Sequence, residues 1–281
     1  MELYKYHGAG NDFVMCDNLD GQIKLSQEQI TFICDRHMGI GADGLILLEK
    51  NEGYDFKMNY YNSDGSSATM CGNGARCTVK FAHDMGVLPA SGFQYSFLAG
   101  DGPHVGHIVS NDDADSLVSI SMKDIDEYEA HKNGTFSINT GTEHLVVFVK
   151  DLDTFDVVKE GRKLRYLPEF QPRGTNVNFV EPEVVKEGED TSINLHIRTY
   201  EKGVEDETLA CGTGITASAI AYYLKHTVGV DSKTVFLAAR TETPVSQKVI
   251  ARGGTLSVQF KPDLTQVHLT GPVKFVFKTH M

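Results

Sequence analysis

Apolar and polar positions along this chain change period repeatedly, and each change marks an element. Residues 3–7 alternate as a strand does, residues 8–10 turn the chain, and 11–17 predict a second strand. Ile30, Ile33 and Cys34 fall near helical spacing behind Ser26, which suits an N-cap, and Gly39 lies just past the predicted end. A tight loop at 39–44 leads into an apolar run at 45–49, a buried strand, and 54–61 alternates into a polar turn at Asn62. A helix is then predicted over 71–86, with Ala75, Val79, Ala82 and Met85 on its buried face. Strands follow near 93–98, 104–110 and 117–122, and the acidic stretch 111–115 reads as a solvated hairpin tip.

After a polar crossover at 123–130 the same order of signals starts again. Residues 141–149 parallel 8–14, 173–180 parallel 41–47, and 195–201 parallel 56–62. Each copy then runs from a strand end through a polar turn into Cys-Gly-x-Gly at the start of a helix, at Cys71 and at Cys211. Ile215, Ala219, Tyr222 and Tyr223 supply the predicted buried face of the second helix, and the last strands fall near 234–238, 245–250, 255–260 and 273–277. Four matches in one order indicate an internal duplication. The predicted fold is therefore α/β (α+β), with two pseudo-symmetric halves, each a mostly antiparallel sheet wrapped around a central helix. The halves are read as 1–123 and 124–266, with the final strand, about 267–281, returning to the first. A ligand cleft is expected where they meet.

Composition narrows the function. A chain of 281 residues suits one large domain or two smaller ones. Its formal charge of −12 argues against nucleic acid or an anionic membrane surface as a partner. The N-terminus has no apolar signal segment and no run approaches membrane-spanning length, so the expected location is cytoplasmic. The five cysteines are odd in number and unevenly spread, which argues against a disulfide framework, and no CxxC or HxxxH pair suggests a metal. Cys16, Cys34 and Cys77 read as small buried hydrophobes.

Cys71 and Cys211 read differently because of where they sit. The first N–H groups of a helix lack intrahelical partners and carry the positive end of its dipole. A thiolate there is stabilised, and flanking glycines let the backbone approach an anion. Two such units facing each other would hold one carboxylate, with a sulfur on either side of the neighbouring carbon. That arrangement suits removing a proton from one face and delivering one to the other, as a racemase or epimerase without a cofactor must.

Over essentially its whole length the chain resembles diaminopimelate epimerase. The shared motifs are His-Gly-x-Gly-Asn-Asp-Phe at 7–13, Arg-His-x-Gly-Ile-Gly-Ala-Asp-Gly at 36–44, Asn-x-Asp-Gly-Ser at 62–66, Met-Cys-Gly-Asn-Gly-Ala-Arg-Cys at 70–77 and Glu-Thr-Leu-Ala-Cys-Gly-Thr-Gly at 207–214. The resemblance implies pyridoxal-independent inversion of one carbon of LL-diaminopimelate, with Cys71 and Cys211 as base and acid, exchanging roles with direction. It implies substrate binding by Asn11, Asn62, Gly72, Asn73, Asn176, Glu201, Gly212 and Thr213, and it suggests a homodimer. The partner expected is thus a small zwitterionic amino acid.

Three departures stand out. Lys202 replaces the family's usual Arg, so a bidentate clamp on the distal carboxylate becomes a point charge. The loop at 203–208 is one residue longer than the common form, and Thr142 replaces an Asn in the family's Gly-Asn-Pro-His. His144, the last residue of that motif, is equally suited to orienting a catalytic group or to a structural role. Two rival readings are a proline racemase or hydroxyproline epimerase, and a thiol redox protein pairing Cys71 with Cys211. The amide set favours a substrate with a second amino-acid head and fits neither rival.

Overall fold

The computed structural model describes every residue except 113–114, 189 and 228–242. The chain forms two compact units, one of residues 1–121 and 270–281 and one of residues 122–269. The predicted strand near 234–238 and the centre of the acidic hairpin tip lie outside the described residues.

The first unit contains β1 (Glu2–Gly8), β2 (Asn11–Asn18), α1 (Gln27–Cys34), β3 (Gly44–Glu49), β4 (Phe56–Asn62), β5 (Ser67–Ala68), α2 (Gly72–Asp84), β6 (Tyr95–Ala99), β7 (Gly102–Ser110) and β8 (Ser116–Ser121). The second contains β9 (Tyr128–Ala130), β10 (Phe136–Asn139), β11 (Glu143–Phe148), α3 (Val157–Arg165), β12 (Asn176–Glu187), β13 (Asp190–Glu201), β14 (Asp206–Thr208), α4 (Gly212–Thr227), β15 (Val245–Ala251) and β16 (Gly254–Phe260). The last strand, β17 (His268–His280), pairs antiparallel with β1 and also with β8.

In the first unit the pairings run β1–β2–β3–β4–β6–β7–β8 and close through β17 back to β1, an eight-stranded barrel. Helix α2 packs against β1, β2, β3, β4, β7 and β8. In the second unit the described pairings run β9–β10–β11–β12–β13–β15–β16, with α4 against β10, β11, β12, β13, β15 and β16. The duplication extends to register. Phe13 lies opposite Gly44 across the parallel pair β2–β3, and His144 lies opposite Asn176 across β11–β12. The short strands β5 and β14 fold back on β4 and β13, with Tyr60 opposite Ala68 and Thr199 opposite Thr208. Cys71 and Cys211 each stand three residues past those last rungs, so one local frame aims both. The expected α/β chain of repeated units is what the structure contains.

Several expectations need correcting. Ser26 caps α1, in a full capping box with Gln29, yet the helix ends at Cys34; Gly39 belongs to the turn that follows, its N–H bonded to Asp35 O. Helix α2 begins one residue after Cys71, which is its N-cap, and is buried on nearly every side rather than on one face. Met85 is its half-buried C-cap. Along α4 the deep positions include Ile215, Ala219, Ile220 and Leu224, while Tyr222 and Tyr223 are half-buried. A helix enclosed by strands buries its whole circumference, which a single-stripe reading misses.

Helix α3 has no counterpart in the sequence reading. It covers the outer face of β12 and β13, as α1 covers its own part of the first unit. Gly161 explains the difficulty: a Cβ there would overlap the Tyr200 side chain, so the helix approaches only because a weak helix former stands at its middle. The long loop after β13 is tied to this helix. Glu205, at positive φ, bonds Arg165 Nε at 3.0 Å, Tyr166 Oη and Tyr200 Oη at 3.0 Å, and Gly203 N at 3.1 Å.

Partial burial pushes the Glu205 carboxyl up, but the bonds from Gly203, Arg165 and the two tyrosines outweigh it and bring it from 4.5 down to about 2. A depressed carboxylate contributes stability that is complete above its unfolded value and is lost as pH falls through the folded one. Glu205→Gln should therefore lower Tm by about 2–4 °C at pH 7, and thermal melts should show the difference from wild type shrinking between pH 4.5 and pH 2.

Candidate active site

In the first unit Cys71 ends the β5 turn in extended conformation, φ −140° and ψ 119°, and its carbonyl accepts the first helical bond from Ala75 N at 2.7 Å. Its Sγ lies 3.4 Å from Asn11 Oδ1, and Asn73 Nδ2 reaches the same oxygen at 3.3 Å. The polarity of these amides is fixed from both ends. A guanidinium only donates, so Arg76 Nη2 at 2.8 Å takes Asn73 Oδ1 and turns its NH2 towards Asn11. A carboxylate only accepts, so Asp43 Oδ2 at 2.6 Å takes Asn11 Nδ2 and turns the Asn11 carbonyl towards the sulfur. Asp43 and Asp12 are in turn bridged by Arg36, and Asp12 also meets Lys5 at 2.6 Å. Asn62, at the end of β4, bonds Ser66 Oγ at 3.1 Å within its own turn.

The second unit repeats the frame with other side chains. Cys211 O accepts from Ile215 N at 2.9 Å, and Cys211 Sγ lies 3.4 Å from Thr213 Oγ1. Thr140 Oγ1 donates to Thr213 O at 3.1 Å. Asn176 donates to Thr142 Oγ1 at 2.8 Å and accepts from the Lys202 backbone N–H at 2.8 Å. The contact made by Lys202 here is thus its main chain. Glu201 accepts from Thr208 Oγ1 at 2.8 Å. Just ahead of the cysteine, Glu207 is gripped by Arg198 Nε and Nη2, each at 2.7 Å, and by Arg252 at 3.2 Å, which pins the β14 hairpin.

His144 is buried beneath the first turn of α4, where a Cβ on Gly214 would lie 3.3 Å from its Cε1. Asn178 Nδ2 serves Leu145 O at 3.3 Å and His144 Nδ1 at 3.0 Å, while Asn178 Oδ1 accepts from Thr199 Oγ1 at 2.9 Å. Nδ1 is therefore an acceptor and the ring proton sits on Nε2, which has no hydrogen-bond partner among the described residues. Burial first, and the Lys202 charge second, push the His144 pKa down to about 3. The ring is neutral at physiological pH.

The structure thus gathers Asn11, Asn73 and Cys71 around one oxygen, and Cys211 with Thr213, and Asn176 with Lys202, within the second unit. Sequence reasoning missed Arg76, Asp43 and the Asn178–Thr199 pair that holds His144. Asn178 carried a visible signal, a lone amide inside the apolar run 177–180. The other cysteines match the plain reading: burial pushes the thiols of Cys16 and Cys34 up to about 11 and that of Cys77 higher still.

Among the described residues no helix is long and apolar enough to cross a membrane. A family model described as diaminopimelate epimerase matches residues 3–114 and 136–276. The chain is 44% identical to a diaminopimelate epimerase of Flavobacterium psychrophilum, covering 99% of each. It is 41% identical to one of Chlorobaculum tepidum, covering 96% of this chain and 97% of the relative. Among solved structures it is similar to a phenazine biosynthesis protein of the PhzF family from Bacillus anthracis, with TM-score 0.70 at 14% identity, covering 100% of this chain and 98% of that one. It is also similar to a hydroxyproline epimerase from Agrobacterium vitis with bound trans-4-hydroxy-L-proline, with TM-score 0.64 at 14% identity, covering 100% and 90%. At such identities the structural likeness speaks for the fold alone, while the sequence relatives span the whole chain at far higher identity. The chain belongs to the diaminopimelate epimerase family.

Proposed function

We propose that the protein inverts one α-carbon of LL-2,6-diaminopimelate to give the meso isomer, without a cofactor, using Cys71 and Cys211 as thiolate base and thiol acid. The observation that carries this reading is the repeated frame: two cysteines, each supplying the first acceptor carbonyl of a buried helix and each followed by Gly-x-Gly. The first-turn N–H groups of Gly72, Asn73, Gly212 and Thr213 would receive the α-carboxylate. One thiolate takes the α-proton, and the C–H electron pair stays on carbon and spreads into that carboxylate. The same N–H groups then stabilise the transition state. The second thiol gives its proton to the opposite face. The sulfurs end with their states exchanged, and proton exchange with water restores them.

Asn11 and Asn62 would bind the reacting head, and Asn176, Glu201 and Lys202 the distal amino acid. Asn176 supports its assignment by being held on both sides, by Thr142 and by the Lys202 main chain. Thr142, where the family has Asn, would then act through Asn176, and Lys202 would meet the distal carboxylate as a point charge. His144, neutral and fixed in one tautomer, would act as a positioning group beneath α4. In this reading the enzyme works as a homodimer in the reducing cytoplasm.

Conversion of LL to meso substrate, followed chromatographically with reduced protein, tests the assignment. Cys71→Ser and Cys211→Ser should each lower kcat by at least about a thousandfold, since a hydroxyl is far too weak an acid and base for this transfer. Turnover surviving in either variant within tenfold of wild type would sink it. Gly214→Ala, whose Cβ would overlap Asn178 Oδ1 and press on His144, should cut kcat at least tenfold with little change in far-UV circular dichroism.

A further inference from the structure

Arg76 has no exposed surface, yet no carboxylate among the described residues pairs with it. It sits in the first turns of α2, donating to Asn73 Oδ1 at 2.8 Å and to Gly72 O at 3.3 Å, and its Nε has no partner among the described residues. Strand β1 lies over it, so close that a Cβ on Gly8 would come within 3.3 Å of Nη2. A buried cation without a counter-charge is costly and calls for an anion nearby. The Arg76 guanidinium lies against the Gly72 carbonyl and the Asn73 amide, one and two residues past Cys71, and it interacts electrostatically with Cys77 and Cys71. Cys77 is wholly buried and its thiol is pushed far above the ordinary range, so it stays neutral. Cys71, part-exposed at the helix start, remains.

The second unit supplies the contrast. The residue matching Arg76 in α4 is Thr216, whose Oγ1 donates to Gly212 O at 3.0 Å. The same helical carbonyl is thus served by a charged group beside Cys71 and by a neutral hydroxyl beside Cys211.

We propose that Arg76 is the buried counter-charge that makes Cys71, rather than Cys211, the thiolate of the resting enzyme. The inference rests on the reading of these two cysteines as the catalytic pair; Arg76 itself is a positioning residue. Other charges around α2 cancel or lie elsewhere. On β2 and the loop before β3, Asp12 and Asp43 are matched by Arg36 and by Lys5 of β1. His7 of β1 is held below its usual pKa by burial and the Lys274 charge, and is neutral. Lys80 pairs with Asp84 towards the far end of α2, where His83 also sits, and Lys57 of β4 pairs with Glu49 of β3. On β7, His104 pairs with Asp101, and the remaining titratable group is His107. Two contacts work the other way: Asn11 Oδ1 would accept a proton from the Cys71 thiol, and the Thr213 hydroxyl would donate to a Cys211 thiolate. Each lies 3.4 Å from its sulfur and is weak beside a buried charge.

The test is the pH dependence of iodoacetamide alkylation of the reduced protein without substrate, with Cys71 and Cys211 peptides quantified separately by mass spectrometry. The midpoint for Cys71 should lie at least one pH unit below that for Cys211. Arg76→Met should raise the Cys71 midpoint by at least one unit, and Arg76→Lys should retain most of the wild-type value. A wild-type Cys71 midpoint at or above that of Cys211 overturns the proposal whether or not the variants fold. So does a folded Arg76→Met protein with an unchanged Cys71 midpoint. Because no turnover is measured, failure here is separable from failure of the substrate assignment.

Discussion

A buried helix start must place its unpartnered N–H groups somewhere, and that requirement shapes this chain twice. In each unit a strand folds back through a short two- or three-residue partner strand and delivers a cysteine immediately before the helix. At the start of α2 the Cys71 side chain makes no capping bond. Such a start is unfavourable in isolation and is tolerated where an anion completes it. The enclosing strands hold the helices so that this end stays available.

Within that common frame the two units differ in what lies beneath the first helical turn. Behind Gly74 stand Phe13, Ile46 and Met58, while behind Gly214 stand Asn178 and His144. The register makes Phe13 and His144 equivalent, so one duplicated site acquired an apolar floor and the other a polar one. Charge is distributed the opposite way along the helices themselves, with Arg76 in α2 and Thr216 in α4. An epimerase that interconverts an LL and a meso isomer has use for unlike thiols, since the two directions of proton transfer are different reactions.

Much of this was legible in the amino-acid sequence because repetition amplified it. A lone Cys-Gly-x-Gly says little, but two of them at matching places in a repeated order of strands single out Cys71 and Cys211. Ser26 was readable as a cap because its partner Gln29 is local. What stayed hidden depends on contacts between distant segments. Helix α3 is charged and interrupted by Gly161, and only the Tyr200 ring across it explains that glycine. Met85 and Tyr222 sit at helical spacing but face away from the most enclosed positions, because strands on all sides erase the distinction between faces that periodicity relies on. The burial of Arg76 shows only when β1 is laid over it.

Deuterium placement during turnover tests the two-thiol account most directly. Reduced enzyme is incubated with LL-diaminopimelate in D2O, and residual substrate and meso product are separated at low conversion for mass spectrometry. Two thiols on opposite faces predict one deuterium at the inverted carbon of the product and almost none in the recovered substrate, because the thiol that removes a proton is not the one that delivers. Deuterium entering substrate as fast as product would mean that one group serves both faces, and would contradict the account.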